Sequence, residues 1–389
     1  MGSTTNSTQE ADLGHQAALS LIEADLTFFR DLALGYRSSA VSSIGSLALM
    51  PFLSAFVYES AMYLKDHDST IDDLLKPHED LLRTSRLRHK LLDDSKKSFS
   101  EILGHAEELV NINRSWFDTI HHGPFGWLRR MRQTDLGVFF VDAEIVCTTH
   151  VAFLNLGISK EKLLGSSMSF ETISPFLFET SQDFGRYAGL LMNSPDFSVP
   201  ALELPPDNSV LPIQYHDLKS RPFYEAIALT VAPGHQSVSL LLTMILSQVN
   251  AARILVPVIA SQNPIARFKL RFVSLYHAVS ALEKLVGMSL DGDFLSPTIL
   301  RELAELLNAP SNRTIIANRF LRNNLVHYGV HKSISPRLSV DQPLLGLIEA
   351  HAPSHTLASL AEDVTIGLDL VAEQLVRMLP KTLTPKSVL

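Results

Sequence analysis

An apolar stripe repeated on successive segments of the last third of the chain constrains its fold more than any other feature. In "ARFKLRFVSLYHAVSALEKLVG", Phe268, Phe272, Leu275, Val279, Leu282 and Val286 recur in steps of four and three, the seam of a bundle helix. Gly287 stands where such a helix would stop. Ser296 and Pro297 make an N-cap and first position for "TILRELAELLNA". Ser311 or Asn312 is expected to open a third helix, and Gly329 to close it as a left-handed C-terminal glycine. The segment "TLASLAEDVTIGLDLVAEQLVRML" then places Leu357, Leu360, Val364, Leu368, Val371 and Leu375 on one face, with Pro380 just beyond. Four helices with short connections and one apolar face each predict an antiparallel helical bundle over 247–389.

A chain of 389 residues is longer than one ordinary core needs, and the pattern upstream of the bundle changes twice. Residues 1–135 read as a helical N-terminal region, with "DHDSTIDDLLKPHEDLLRTSRLRHKLLDDSKK" as a solvated helical face dense in both charge signs. Residues 136–246 read as a smaller mixed α+β region. There "LGVFFVDAEIVCTTHVAFL" fits two short strands, and "EAIALTV" and "SVSLLLTMI" flank "APGHQ" as a β-hairpin. Between these, "MNSPDFSVPALELPPDNSVLPIQ" is rich in Pro and Asn and reads as irregular. The expected fold class is therefore mainly α.

Hydrophobic residues make up 46% of the chain and charged residues 19%, which argues against extended disorder. A net charge of -8 gives no global nucleic-acid signature, so any such binding needs a local basic patch. The single Cys147 excludes an internal disulfide and a cysteine metal cluster, and a cytoplasmic, reducing setting is expected. "MGSTTNSTQEADLGHQ" is not a secretory signal, although Gly2 fits the short pattern for N-myristoylation. Val41–Tyr58 and Ser237–Ala252 are apolar enough to test as membrane spans. The first carries four serines and Pro51 and reads as a buried helix; the second, broken by Gln248 and Asn250, reads as a strand passing into a helix. No stable membrane insertion is expected.

The unusual stretch is "RFLRNNLVHYGV", residues 319–330, which sets Arg322, Asn323, Asn324 and His327 among apolar residues although asparagine is a poor helix former. On an ideal helix Arg322 and His327, five residues apart, lie roughly 140° apart around the axis and do not meet side by side. Between Ser311 and Arg337 the chain carries Arg313, Arg319, Arg322, Lys332 and Arg337 and no Asp or Glu, a strip that would attract a polyanion. A bland reading stands beside this one, in which Arg322 is an ion-pair or carbonyl-capping residue and His327 a satisfied histidine near a helix C-terminus. His121 and His122 are adjacent loop residues without a metal-ligand spacing, and His15, His67, His78, His89, His105 and His150 read as surface or capping residues. No metal or cofactor is expected, and the common nucleotide, hydrolase and zinc-protease motifs are missing from the sequence.

"LRNNLVHYG" resembles the signature of HEPN domains, an Arg followed by a polar residue and, a few residues later, a His; here Arg322, Asn323 and His327 match it. The resemblance covers about residues 262–380. It implies a metal-independent endoribonuclease whose site forms at a homodimer interface, typical of toxin, antiviral defence or stress proteins. On that basis His327 would be the general acid or base, Arg322 the phosphate clamp and Asn323 an orienting residue. Glu283 would pair with Arg322, Asn324 and His331 would support the site, and Arg313, Arg319, Lys332 and Arg337 would hold RNA. The N-terminal part would sense or regulate, with or without a protein partner. The alternative implied by the same family is a non-catalytic bundle that dimerises or binds RNA or a partner.

Overall fold

The computed structural model describes residues 3–34, 40–68, 71–89, 96–119, 133–157, 170–200, 211–228, 236–292, 295–330 and 334–378. It is 80% helical with one small three-stranded sheet, a mainly α fold. The N-terminal helices are α1 (Ser3–Leu34), α2 (Ala40–His67), α3 (Glu79–His89) and α4 (Lys96–Thr119). β1 (Leu136–Val141) and β2 (Glu144–Thr148) follow, joined by Asp142 and Ala143, both at positive φ as a tight two-residue hairpin turn requires. β3 (Ile213–Leu218) pairs antiparallel with the other side of β1, giving the order β2-β1-β3. Among the described residues, two helices, α5 (Thr149–Leu156) and α6 (Phe170–Met192), lie between the hairpin and β3. The two short strands expected in this stretch are thus β1 and β2, and its last residues, 149–154, enter α5, capped by the Thr148 hydroxyl, which accepts a hydrogen bond from the Val151 amide.

The second expected hairpin is not one. Its arms belong to α7 (Ser220–Ala228) and α8 (Gln236–Asn250), and residues 229–235 between them lie outside the described residues. Every residue of α8 from Ser237 to Asn250 is buried, so its β-prone composition reflects burial on all sides and not a strand. The hydroxyls inside it are satisfied within the helix: Thr243 donates to the Ser239 carbonyl and Ser247 to the Thr243 carbonyl, each at 2.8 Å. Asn250 at its end donates to the Ile145 carbonyl of β2 at 2.9 Å, tying α8 to the sheet. By length and composition, Ser43–His67 and Gln236–Ile259 could each cross a membrane; here 83% and 78% of those apolar windows are buried inside the protein.

The C-terminal helices are α9 (Pro264–Gly292), α10 (Pro297–Leu307), α11 (Pro310–Ala317), α12 (Arg319–His327) and α13 (Leu357–Met378). α9 runs past Gly287, at which a side chain would meet open space, so nothing there ends the helix. Phe268, Phe272, Leu275, Val279 and Leu282 are all buried, each contributing about 1.5–3 kcal/mol of transfer free energy. Ser296 caps α10 as expected, accepting from the Ile299 amide. α13 crosses closely at Gly367, where a Cβ would stand 2.5 Å from Leu275 Cδ2 and 2.8 Å from Asn312 Oδ1. The buried side chains form one continuous core from Ala17 to Met378, with α1 packed on α9 and α2 on α12.

The expected third bundle helix is two helices. Asn318 has non-helical backbone angles and its side chain donates to the Thr314 carbonyl at 2.8 Å, so the chain breaks there and α12 starts afresh. At the other end Tyr328, not Gly329, takes the left-handed conformation, with φ 59°. That conformation costs roughly 1–2 kcal/mol in a residue with a Cβ. Burial of the ring and a 2.6 Å hydrogen bond from its hydroxyl to Asp25 of α1 offset the cost.

Candidate functional site

The nine residues of α12 sort into two faces. Leu321 and Leu325 are fully buried, and Arg322 and Val326 lie beside them inside the bundle. Phe320, Asn323 and His327, at positions i, i+3 and i+7, form one outward strip: Phe320 is 75% exposed and the His327 side chain 43%. Phe320 therefore stands outside the buried face of α12.

Arg322 points inward. Its Nη1 donates to the Asn323 side-chain oxygen at 3.0 Å, Nη2 lies 3.2 Å from His277 Nε2, and the guanidinium sits 5.6 Å from the Tyr276 ring centroid. Burial first, and then the Arg322 charge, hold the His277 imidazole well below its ordinary value of 6.5, which leaves a neutral ring able to accept from Arg322. The partner expected for Arg322, Glu283, is exposed on α9; the residue that meets the guanidinium is His277, six positions earlier on the same helix. Asn324 is also structural: its amide donates to the Gly329 carbonyl at 2.9 Å and its carbonyl accepts from the Tyr328 amide at 3.0 Å, closing the end of α12.

His327 turns away from Arg322, toward α2. Its Nδ1 lies 2.9 Å from Oε2 of Glu59, while Nδ1 of His89, at the end of α3, lies 3.2 Å from Oε1 of the same carboxylate. The two imidazoles meet edge to face with centroids 6.0 Å apart. Because Glu59 accepts from both Nδ1 atoms, it fixes the orientation of the two rings relative to each other. The His89 and Glu59 side chains are 13% and 12% exposed, so the centre is a half-closed notch between α2, α3 and α12 with His327 at its lip.

Beneath the notch lies a second polar group. Asp25 of α1 forms a buried ion pair with Lys269 of α9, and the Lys269 ammonium lies 4.2 Å from the Tyr328 ring centroid. Burial lowers the Lys269 pKa, opposed by the Asp25 charge, and burial raises that of Tyr328, reinforced by Asp25. Consecutive residues of the motif, His327 and Tyr328, are thus each held by a carboxylate from a different N-terminal helix.

Of the expected RNA-binding residues, Arg313, Arg319 and Arg337 are exposed, whereas Lys332 and His331 lie outside the described residues, as do His121 and His122. Among the described residues no group of three His, Cys, Asp or Glu is arranged to hold a metal ion. Sequence reading missed Glu59, His277 and the role of His89. Glu59 had a signal: it is the only Asp, Glu, Lys, Arg or His between residues 38 and 64, and a lone carboxylate in so apolar a helix needs a partner. No known family, curated protein or solved structure matches the chain.

Proposed function

We propose that the chain is an endoribonuclease of the kind its HEPN-like motif implies, with the paired imidazoles of His89 and His327 as its acid and base. The observation that carries this reading is the Glu59 carboxylate holding both rings, 6.0 Å apart, at the end of an exposed strip. RNA supplies its own nucleophile. One imidazole takes the proton of the 2′-hydroxyl as O2′ attacks phosphorus, the P–O5′ bond breaks, and the other imidazole, as imidazolium, gives its proton to O5′. The products are a 2′,3′-cyclic phosphate and a 5′-hydroxyl, and none of these steps needs a metal.

Phe320 lies two turns from His327, roughly 10 Å along the helix, and offers a base a stacking surface. Arg319 on α12 and Arg313 on α11 are exposed and would serve as phosphate contacts. Arg322 is a positioning residue in this scheme: at 5% exposure it holds α12 against His277 and does not reach a phosphate. The second imidazole comes from α3 of the same chain, so the proposed centre is complete within one protomer and a homodimer is not required for chemistry. A toxin or defence role is the corresponding cellular reading, to be tested by growth arrest on expression.

The test is cleavage of a mixed RNA pool by the wild type, His89→Ala and His327→Ala in excess EDTA, with the ends analysed. Cutting by the wild type alone, leaving cyclic phosphate ends, is the expected outcome; equal cutting by either variant sinks the assignment. The burial of Arg322 favours one other reading, a bundle that binds RNA or a partner without cutting. It is distinguished by salt-dependent RNA retention with no product.

A further inference from the structure

Away from α12, a polar cavity of about 260 Å³ opens between α4, the residues entering β1, α5 and the first turns of α7 and α8. Its floor is Asp135, whose carboxylate accepts from the Ser220 amide at 2.8 Å, the Ser220 hydroxyl at 2.6 Å and the Asn113 amide at 2.7 Å. That carboxylate is fully engaged, but two neighbouring polar atoms are not. Asn113 Oδ1 and His150 Nε2, on lining residues 2% and 0% exposed, have no hydrogen-bond partner among the described residues. An acceptor or donor buried without a partner costs about 1–3 kcal/mol, so two in one cavity mark a place made for a polar occupant.

The occupant's chemistry follows from the walls. His150 Nδ1 faces the Tyr224 hydroxyl at 3.0 Å, and burial depresses the imidazole to about 4 against the opposing pull of Asp135, so the ring meets a ligand as a neutral hydrogen-bonding group. At the rim stand Arg114, bonded to Gln236 at 2.9 Å, Lys219, and Arg221, paired with Glu225 at 2.7 Å. Three cationic side chains thus face two carboxylates, Asp135 and Glu225, and the starts of α7 at Ser220 and α8 at Gln236 add their positive ends. The volume lies below that of an ordinary drug-sized pocket, roughly 300–1,000 Å³, which fits a single small metabolite and not a polymer.

We propose that this cavity binds a phosphate monoester of a small polar molecule, with the phosphate at the Arg114–Lys219–Arg221 rim and the polar body bonded to Asn113 Oδ1 and His150 Nε2. The site is built from other helices than the His89–His327 notch, and the proposal stands without the ribonuclease reading.

Calorimetric titration and thermal melting of the full chain test it, using inorganic phosphate, ribose 5-phosphate and the nucleoside 5′-monophosphates as probes. At least one monoester is expected to bind saturably, to raise Tm, and to bind roughly tenfold more tightly than inorganic phosphate, because only it reaches the interior. Arg114 is exposed, so Arg114→Ala should leave the unliganded Tm unchanged and weaken binding roughly tenfold through loss of a charge-assisted contact. His150→Phe should abolish binding with the circular dichroism spectrum retained; if that variant does not fold, Arg114→Ala decides. His327→Ala should bind the monoester as the wild type does, which separates this site from the nuclease reading. No saturable binding by any probe, binding indifferent to Arg114→Ala, or inorganic phosphate binding as tightly as every monoester overturns the proposal.

Discussion

His327 and His150 show how one residue type is put to opposite uses by its surroundings. His327 stands at the edge of the bundle, 43% exposed and bonded to the Glu59 carboxylate, whereas His150 is fully enclosed and bonded to a neutral phenol. An anionic partner together with water access suits a ring to the acid–base role proposed for it; enclosure without an anion bonded to the ring keeps it neutral. The lesson is that the partner and the solvent decide, and the histidine alone predicts neither role.

The contrast can be broken or sharpened in five ways, from the largest expected effect down. Glu59→Ala should cut RNA cleavage about 10²–10⁴-fold, and adding His89→Ala to His327→Ala should cost little more than the worse single variant, since the three act as one unit. Single-turnover rates check this, and additive losses would separate the two rings. Asp25→Ala, which strands Lys269 in the core, should lower stability by about 3–5 kcal/mol in urea unfolding. Third comes acid sensitivity. The folded His150 titrates near 4 against an ordinary 6.5, so above pH 6.5 both states are neutral and no penalty arises. As pH falls from 6.5 to 4 the unfolded chain takes a proton that the folded chain refuses, and stability should drop by about 3 kcal/mol, with His277 adding to the same trend. Urea midpoints across that range should fall less steeply in His150→Phe; an unchanged slope would remove His150 from the account.

Tyr328→Phe deletes the hydroxyl bonded to Asp25 and should cost about 1–3 kcal/mol, read as a Tm shift together with a loss of kcat because His327 is the preceding residue. Smallest is Arg319→Ala, expected to leave the fold untouched and to reduce the salt slope of RNA binding by about one. A slope equal to the wild type's would take Arg319 off the RNA path.

Much of the fold was legible where a helix has one wet face. The stripe of α13 and the Ser296–Pro297 start of α10 could be read directly, because a half-buried helix writes its period into its sequence; α9, though enclosed on nearly every side from Phe268 to Ser280, was read from the spacing of its large apolar residues. α8 could not, since burial on every side erases that period and leaves a β-like composition. The boundaries of α12 were misplaced because the forces that set them, an asparagine side chain bonding its own backbone and a tyrosine anchored to Asp25, depend on geometry and distant partners. His327 and Asn323 could be singled out from their spacing. His89 lies 238 residues away in sequence, so nothing in either segment announces that they share a carboxylate.

The anchoring of His327 by Glu59 and of Tyr328 by Asp25 has a consequence for modularity. The bundle of 247–389 is not a cassette that can be lifted out and fused elsewhere: cut away from the first 67 residues, it loses both carboxylates that hold its motif and uncovers the side of α9 that α1 shields. Recombination that shuffles helical bundles between proteins would have to carry α1 and α2 along with the motif, so the two ends of this chain are inherited as one unit although some two hundred residues separate them.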